Sequence, residues 1–76
     1  MLATLYRDVT RALKTHGWEF YRQGKGSHEI WRRIDDPSSP AISVPSNISK
    51  PYTAESIMKQ AGLPKDAYLR SKGDLQ

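Results

Sequence analysis

The sequence predicts an α+β fold in the order α-β-β-β-α with a short C-terminal helix, in which helices cover one face of a three-stranded antiparallel sheet. Three observations carry this reading. Apolar residues over positions 1–16 recur in steps of three and four, the period changes to two at Trp18, and Gly24-Lys25-Gly26 separates two runs of strand character. A chain of 76 residues makes one small domain, residues 1–76, because its length supports one thin core. Residues 1–3 and 71–76 are expected to fray.

The first helix places Leu2, Leu5, Val9, Leu13 and His16 on one stripe, with Ala12 filling it and Arg7, Arg11 and Lys14 outside it. Gly17 reads as the left-handed residue that stops the helix. In the first strand Trp18 and Phe20 face one way, Glu19 and Tyr21 the other. Residues 27–33 form the second strand of a hairpin. Alternation there puts His28, Ile30 and Arg32 on one face and Ser27, Glu29, Trp31 and Arg33 on the other. The run Asp35-Asp36-Pro37-Ser38-Ser39-Pro40 is a loop of turn-formers, and residues 41–44 make a short third strand closed by Pro45. Thr53 is the expected N-cap of the next helix, with Glu55 in its first turn and Ala54, Ile57, Met58 and Ala61 buried. Gly62 ends that helix, and Pro64 opens a last short one carrying Tyr68 and Leu69. Trp18, Phe20, Ile30, Ile42, Val44, Ile57 and Met58 are the expected core. Tyr21 and Trp31, on the other face by alternation, are left to stack on bases or to meet a protein partner.

Composition narrows the functions available. With no cysteine there is no disulfide and no thiolate metal site, and His16 and His28 alone cannot close a zinc site. No metal ion or other cofactor is expected. No apolar run approaches the roughly 20 residues of a membrane span, and Arg7, Asp8, Arg11 and Lys14 interrupt the place where a secretory leader needs its apolar stretch. A cytoplasmic protein with no membrane partner is expected. Residues 1–33 carry seven basic and three acidic side chains, residues 34–76 five of each, so the whole net charge of +4 falls in the first half. Such asymmetry suits a polyanion or an acidic protein, or is simply a solvated basic face.

There is no phosphate-binding glycine loop and no carboxylate pair spaced for a metal-dependent nuclease. His28 is the residue of interest. A histidine at a strand start is most often a polar surface residue. Here it follows the Gly24-Lys25-Gly26 turn, and Arg22, Lys25 and Arg32 can gather phosphate around an imidazole that titrates near neutrality, as acid–base cleavage of RNA requires. His16, beside its helix-ending glycine, reads as structural.

The segments Lys14-Thr15-His16-Gly17-Trp18 and Tyr21-Arg22-Gln23-Gly24-Lys25-Gly26-Ser27-His28, then Ser43-Val44-Pro45 and residues 53–63, resemble in this order and spacing the HicA-type mRNA interferase toxins. The likeness runs from about Arg7 to Leu69. It implies a fold similar to the double-stranded RNA-binding domain, endoribonuclease action on mRNA, and a HicB-type antitoxin that covers the active site. Carried over, the catalytic histidine is His28. Two features depart from the family pattern: Glu29 follows the histidine, and the loop Ser46-Asn47-Ile48-Ser49-Lys50 offers neither a second histidine nor a glycine.

The mechanism expected from these residues needs no metal, since the ribose 2′-hydroxyl is the nucleophile. His28 would move the proton, and Lys25 or the Gly26 and Ser27 amides would stabilise the phosphorane oxygens. Arg22, Arg32 and Arg33 would hold flanking phosphates. The alternatives are an RNA-binding module of the same fold that does no chemistry, and a protein-interaction domain whose basic half docks on an acidic partner.

Overall fold

A computed structural model describes residues 3–69. In chain order these form α1 (Ala3–Thr15), β1 (Trp18–Gln23), β2 (His28–Arg33), β3 (Ile42–Pro45) and α2 (Pro51–Gln60), with a further helical turn over residues 67–69. The architecture is the α+β arrangement expected. Of the residues expected to fray, Ala3 instead opens α1, while Met1, Leu2 and residues 71–76 lie outside the described residues, as does the place of Leu2 in the helical stripe.

The amphipathic pattern of α1 buries Val9, Ala12 and Leu13. At its end Gly17 has φ +88, a conformation in which a Cβ is strained. The same residue opens the sheet, its carbonyl accepting from the Ile34 amide at 2.8 Å. His16 Nδ1 lies 2.9 Å from the Ala12 carbonyl, a local contact at the helix end that fits the structural role expected of it.

The sheet order is β1-β2-β3, antiparallel throughout. Cα pairs Trp18–Arg33, Phe20–Trp31, Trp31–Ile42 and Glu29–Val44 define the helix-covered face. The pairs Glu19–Arg32, Arg22–Ile30, Ile30–Ser43 and His28–Pro45 define the open face. A bulge between Phe20 and Arg22 interrupts β1 at Tyr21.

The alternation expected in β2 holds, but the face it turns inward is the other one. Trp31 is 2 % exposed and Ile30 only half-buried. Burying the larger indole removes more apolar surface from water, and its Nε1 donates to Glu29 Oε1 at 3.0 Å, so no polar atom is stranded. Phe20 is 48 % exposed rather than core. It sits on an edge strand with a sheet neighbour on one side only, meeting Trp31 edge-on at 6.3 Å between ring centroids.

The helix start also moves. Thr53 is not the N-cap: α2 begins at Pro51, after Lys50, which makes no side-chain cap bond. Proline at the first helical position has a preset φ and no amide to satisfy, so the helix starts three residues earlier and Glu55 leaves the first turn. Ala54, Ile57, Met58 and Ala61 are buried as expected, joined by Tyr68 and by Ile48 from the loop before α2, while Leu69 is exposed. Burial, with Glu55, Asp8 and Asp66 nearby, raises the Tyr68 phenol above its ordinary pKa.

Candidate functional site

The turn between β1 and β2 is built by its glycines and by Gln23. Gly26 has φ +58. A Cβ on Gly24 would stand 3.2 Å from both the His28 carbonyl oxygen and Ile30 Cδ1, closer than ordinary contact. The Gly24 amide donates to the His28 carbonyl at 2.8 Å and the His28 amide to the Lys25 carbonyl at 3.0 Å. The Gln23 side-chain amide spans the turn, donating to the Gly26 carbonyl at 3.0 Å and the His28 carbonyl at 2.9 Å. The loop after β3 is tied to the same place: the Ser46 amide donates to the Ser27 carbonyl at 2.8 Å and Ser27 Oγ lies 3.3 Å from Asn47 Oδ1. His28 therefore starts its strand from a braced turn.

On the open face the His28 side chain is exposed, with Nδ1 3.0 Å from Ser43 Oγ. The two residues are diagonal neighbours across β2 and β3, within reach of side chains of this size. A hydroxyl both accepts and donates, so this contact can hold the ring whichever nitrogen carries the proton. Beside the pair, Pro45 and the α2 side chains Tyr52, Thr53, Ser56 and Gln60 enclose a recess of about 280 Å³.

The cations foreseen for phosphate divide between the faces. Lys25 is exposed in the turn, and Arg22, also exposed, pairs with Ile30 on the open face. Arg32 shares that face, its Nε 2.9 Å from Glu19 Oε2 and its guanidinium 4.3 Å above the Tyr21 ring. Arg33 points to the opposite side, over the Trp18 ring at 5.6 Å and with its Nε 3.5 Å from Asp35. The structure thus brings Arg22, Lys25, Gly26, Ser27 and His28 together at the turn end of the sheet, sets Arg32 on the open face toward the other end beside Glu19, and leaves Arg33 apart. Neither the Gly26 nor the Ser27 amide has a hydrogen-bond acceptor within the described residues.

Glu29 is not a partner of His28. It points to the helix side, where the Tyr6 hydroxyl donates to Oε1 at 2.7 Å and Trp31 Nε1 donates at 3.0 Å. Tyr21 is exposed as foreseen, whereas Trp31 is core and available to neither a base nor a partner. Among the described residues no three His, Asp or Glu side chains come together as a metal site, and no helix is long and apolar enough to cross a membrane. A larger groove of about 470 Å³ lies at the other end of β2, between Trp18, Arg33, Ser39 and the end of α2. It holds no group suited to proton transfer.

Ser43 and the α2 residues of the recess were missed by sequence reasoning. Ser43 sits between two apolar residues, and that alternation already turned it away from the core. Its register against His28, however, depends on the long loop between β2 and β3.

Across residues 6–63 the chain matches the sequence model of a family described as the HicA toxin of bacterial toxin–antitoxin systems. No curated protein and no solved structure matches it. The match takes in most of α1, the braced turn, all three strands and α2, so that the His28 end of the sheet lies wholly inside it. The chain therefore belongs to the HicA toxin family, as the toxin half of a toxin–antitoxin pair whose other half is an antitoxin protein.

Proposed function

We propose that this toxin is an endoribonuclease that cuts mRNA by general acid–base catalysis with His28, and that a HicB-type antitoxin silences it by covering that site. The observation that carries the reading is the His28–Ser43 contact: an exposed imidazole whose Nδ1 is held at 3.0 Å, leaving Nε2 to face an RNA strand on the open side of the sheet.

RNA brings its own nucleophile. His28 Nε2 takes the proton from the ribose 2′-hydroxyl, or gives one to the departing 5′-oxygen, and one such group typically contributes about 10²–10⁴-fold. The free Gly26 and Ser27 amides and the Lys25 ammonium are suited to the charge that builds on the non-bridging oxygens. Arg22 and Arg32 hold neighbouring phosphates. Arg33, on the far face, is no part of this arrangement. The cytoplasm, where mRNA is found, is the place of action.

The chemistry of the ends tests the reading. End-labelled mRNA incubated with the purified chain in EDTA should yield a 2′,3′-cyclic phosphate, or its hydrolysis product, and a 5′-hydroxyl. A 2′-deoxy substitution at the cut nucleotide should block cleavage. Cutting of the deoxy substrate, or 5′-phosphate ends, would overturn the mechanism.

A further inference from the structure

The recess beside His28 has a composition that its place in the fold does not require. Its floor is apolar, from Ile57 and Pro45, while its wall on α2 presents Thr53, Ser56 and Gln60 in successive turns. None of these three side chains has a hydrogen-bond partner within the described residues. Tyr52 stands at the rim, 67 % exposed, with the Lys50 ammonium 6.0 Å from its ring centroid. An exposed aromatic face, a cation beside it and an unpaired amide and hydroxyls a helical turn apart match the needs of an unstacked nucleobase. Single-stranded RNA is read by stacking on aromatic rings and by hydrogen bonds to base edges. At about 280 Å³ the recess falls just below the roughly 300–1,000 Å³ typical of drug-sized ligands, which suits one base.

We infer that this recess is a base-recognition subsite of the toxin: it takes one unpaired RNA base next to the phosphate held at His28, stacked on Tyr52 and read along its edge by Gln60 and Ser56. The inference rests on the nuclease reading for its place beside the cut, but base binding can be measured without cleavage. It makes α2 a determinant of where RNA is cut. Lys50 then meets the phosphate on the far side of that base. The Gln60 side-chain amide presents an NH2 group that donates and a carbonyl that accepts, so it discriminates bases by the pattern at their edges.

Two measurements on the full chain test it. In the first, cut sites on a random-sequence RNA are mapped for wild type, Gln60→Ala, Ser56→Ala and Tyr52→Ala. These side chains line an open recess, and none is buried. Gln60→Ala and Ser56→Ala should still cleave but lose preference at one fixed position flanking the cut, by about 3- to 10-fold for each neutral hydrogen bond lost. Tyr52→Ala should raise KM at all sites, since stacking is tolerant of base identity. An unchanged cut-site profile in Gln60→Ala and Ser56→Ala would overturn the subsite while leaving the nuclease reading intact.

In the second, trinucleotides carrying 2′-O-methyl groups, which cannot be cut, are titrated into isotope-labelled protein. The Gln60 side-chain amide and the Ser56 backbone amide should shift, with an affinity that depends on the base at one position and falls in Gln60→Ala. If wild type fails to cleave RNA, the nuclease reading fails and this titration judges the recess alone. A recess that responds to the antitoxin but to none of the trinucleotides is a protein contact, and the inference falls.

Discussion

The Tyr6 hydroxyl and the Glu29 carboxylate meet at 2.7 Å on the helix-covered side of the sheet, and this places two adjacent titratable residues of β2 in separate jobs. Glu29 accepts from Tyr6 and Trp31 and ties α1 to the sheet. His28, one residue earlier, faces the open side with Ser43. The carboxylate that follows the histidine in the sequence is a packing device, not its proton-transfer partner.

Replacing Tyr6 by Phe tests that role. The variant loses a hydrogen bond to an ionised acceptor at a partly solvated position, and stability should fall by about 1–2 kcal/mol. The pH dependence gives a second reading. Burial, then the hydrogen bond and charge of Glu29, push the Tyr6 phenol up from 10.0 to about 12. The folded state holds this proton more tightly than the unfolded chain, so the contribution is complete below pH 10 and is lost as the pH rises through about 12. Denaturant unfolding followed from pH 9 to 12 should show a steeper loss in wild type than in Tyr6→Phe, with the Tyr68 phenol contributing to both. Parallel curves would mean that the Tyr6–Glu29 bond does not stabilise the fold.

On the proposed mechanism Ser43 acts through His28, as a positioning residue. Ser43→Ala should lower the cleavage rate about tenfold, in line with the loss of one orienting hydrogen bond. KM should be little changed, and the pH dependence of the rate should differ from wild type. Ser43→Thr keeps the hydroxyl and should recover most of the rate. If the alanine variant keeps both the wild-type rate and the wild-type pH profile, the 3.0 Å contact has no part in the reaction.

Salt dependence would locate an RNA bound as proposed. Each phosphate contact on a single strand contributes a slope of about −0.7 in log K against log salt concentration. Changing Arg22 and Lys25 together to Ala should flatten the slope by about 1.4. Arg33→Ala should leave it unchanged, because that side chain lies across the sheet over Trp18. A slope altered only by Arg33→Ala would put the strand on the helix side.

Antitoxin binding should be visible in the same turn. The Gly26 and Ser27 amides have no acceptor within the described residues and should exchange quickly in the free toxin. On adding the antitoxin, amide exchange from Lys25 to Ser27 should slow if the partner covers the site. Protection confined to the helices would mean inhibition from a distance.

Local signals were the legible part of the sequence. The three- and four-residue steps before Gly17, the change of period at Trp18 and the Gly24–Gly26 turn are backbone and periodicity effects that act within a few residues, and the fold follows from them. What the sequence hid was relational. Alternation separated Ile30 from Trp31 correctly, yet the choice of the inward face was made by the register of β2 against Phe20 and Ile42. Thr53 has the chemistry of a cap, but Pro51 sets the helix start first. His28, Lys25 and Arg22 stand out in the sequence because they cluster around one turn. Ser43 and Gln60 come to the same place only through the packing of β3 and α2.

His28→Ala measures the central claim most directly. The side chain is exposed and its loss empties no core, so the variant should fold with a melting temperature close to wild type and bind RNA with similar affinity, phosphate contacts being made by Arg and Lys. Its cleavage rate should fall about 10²–10⁴-fold, while His16→Ala, once folded, cleaves normally. A His28→Ala protein that cuts RNA as fast as wild type would contradict the account, as would a wild-type protein that binds RNA and leaves it whole.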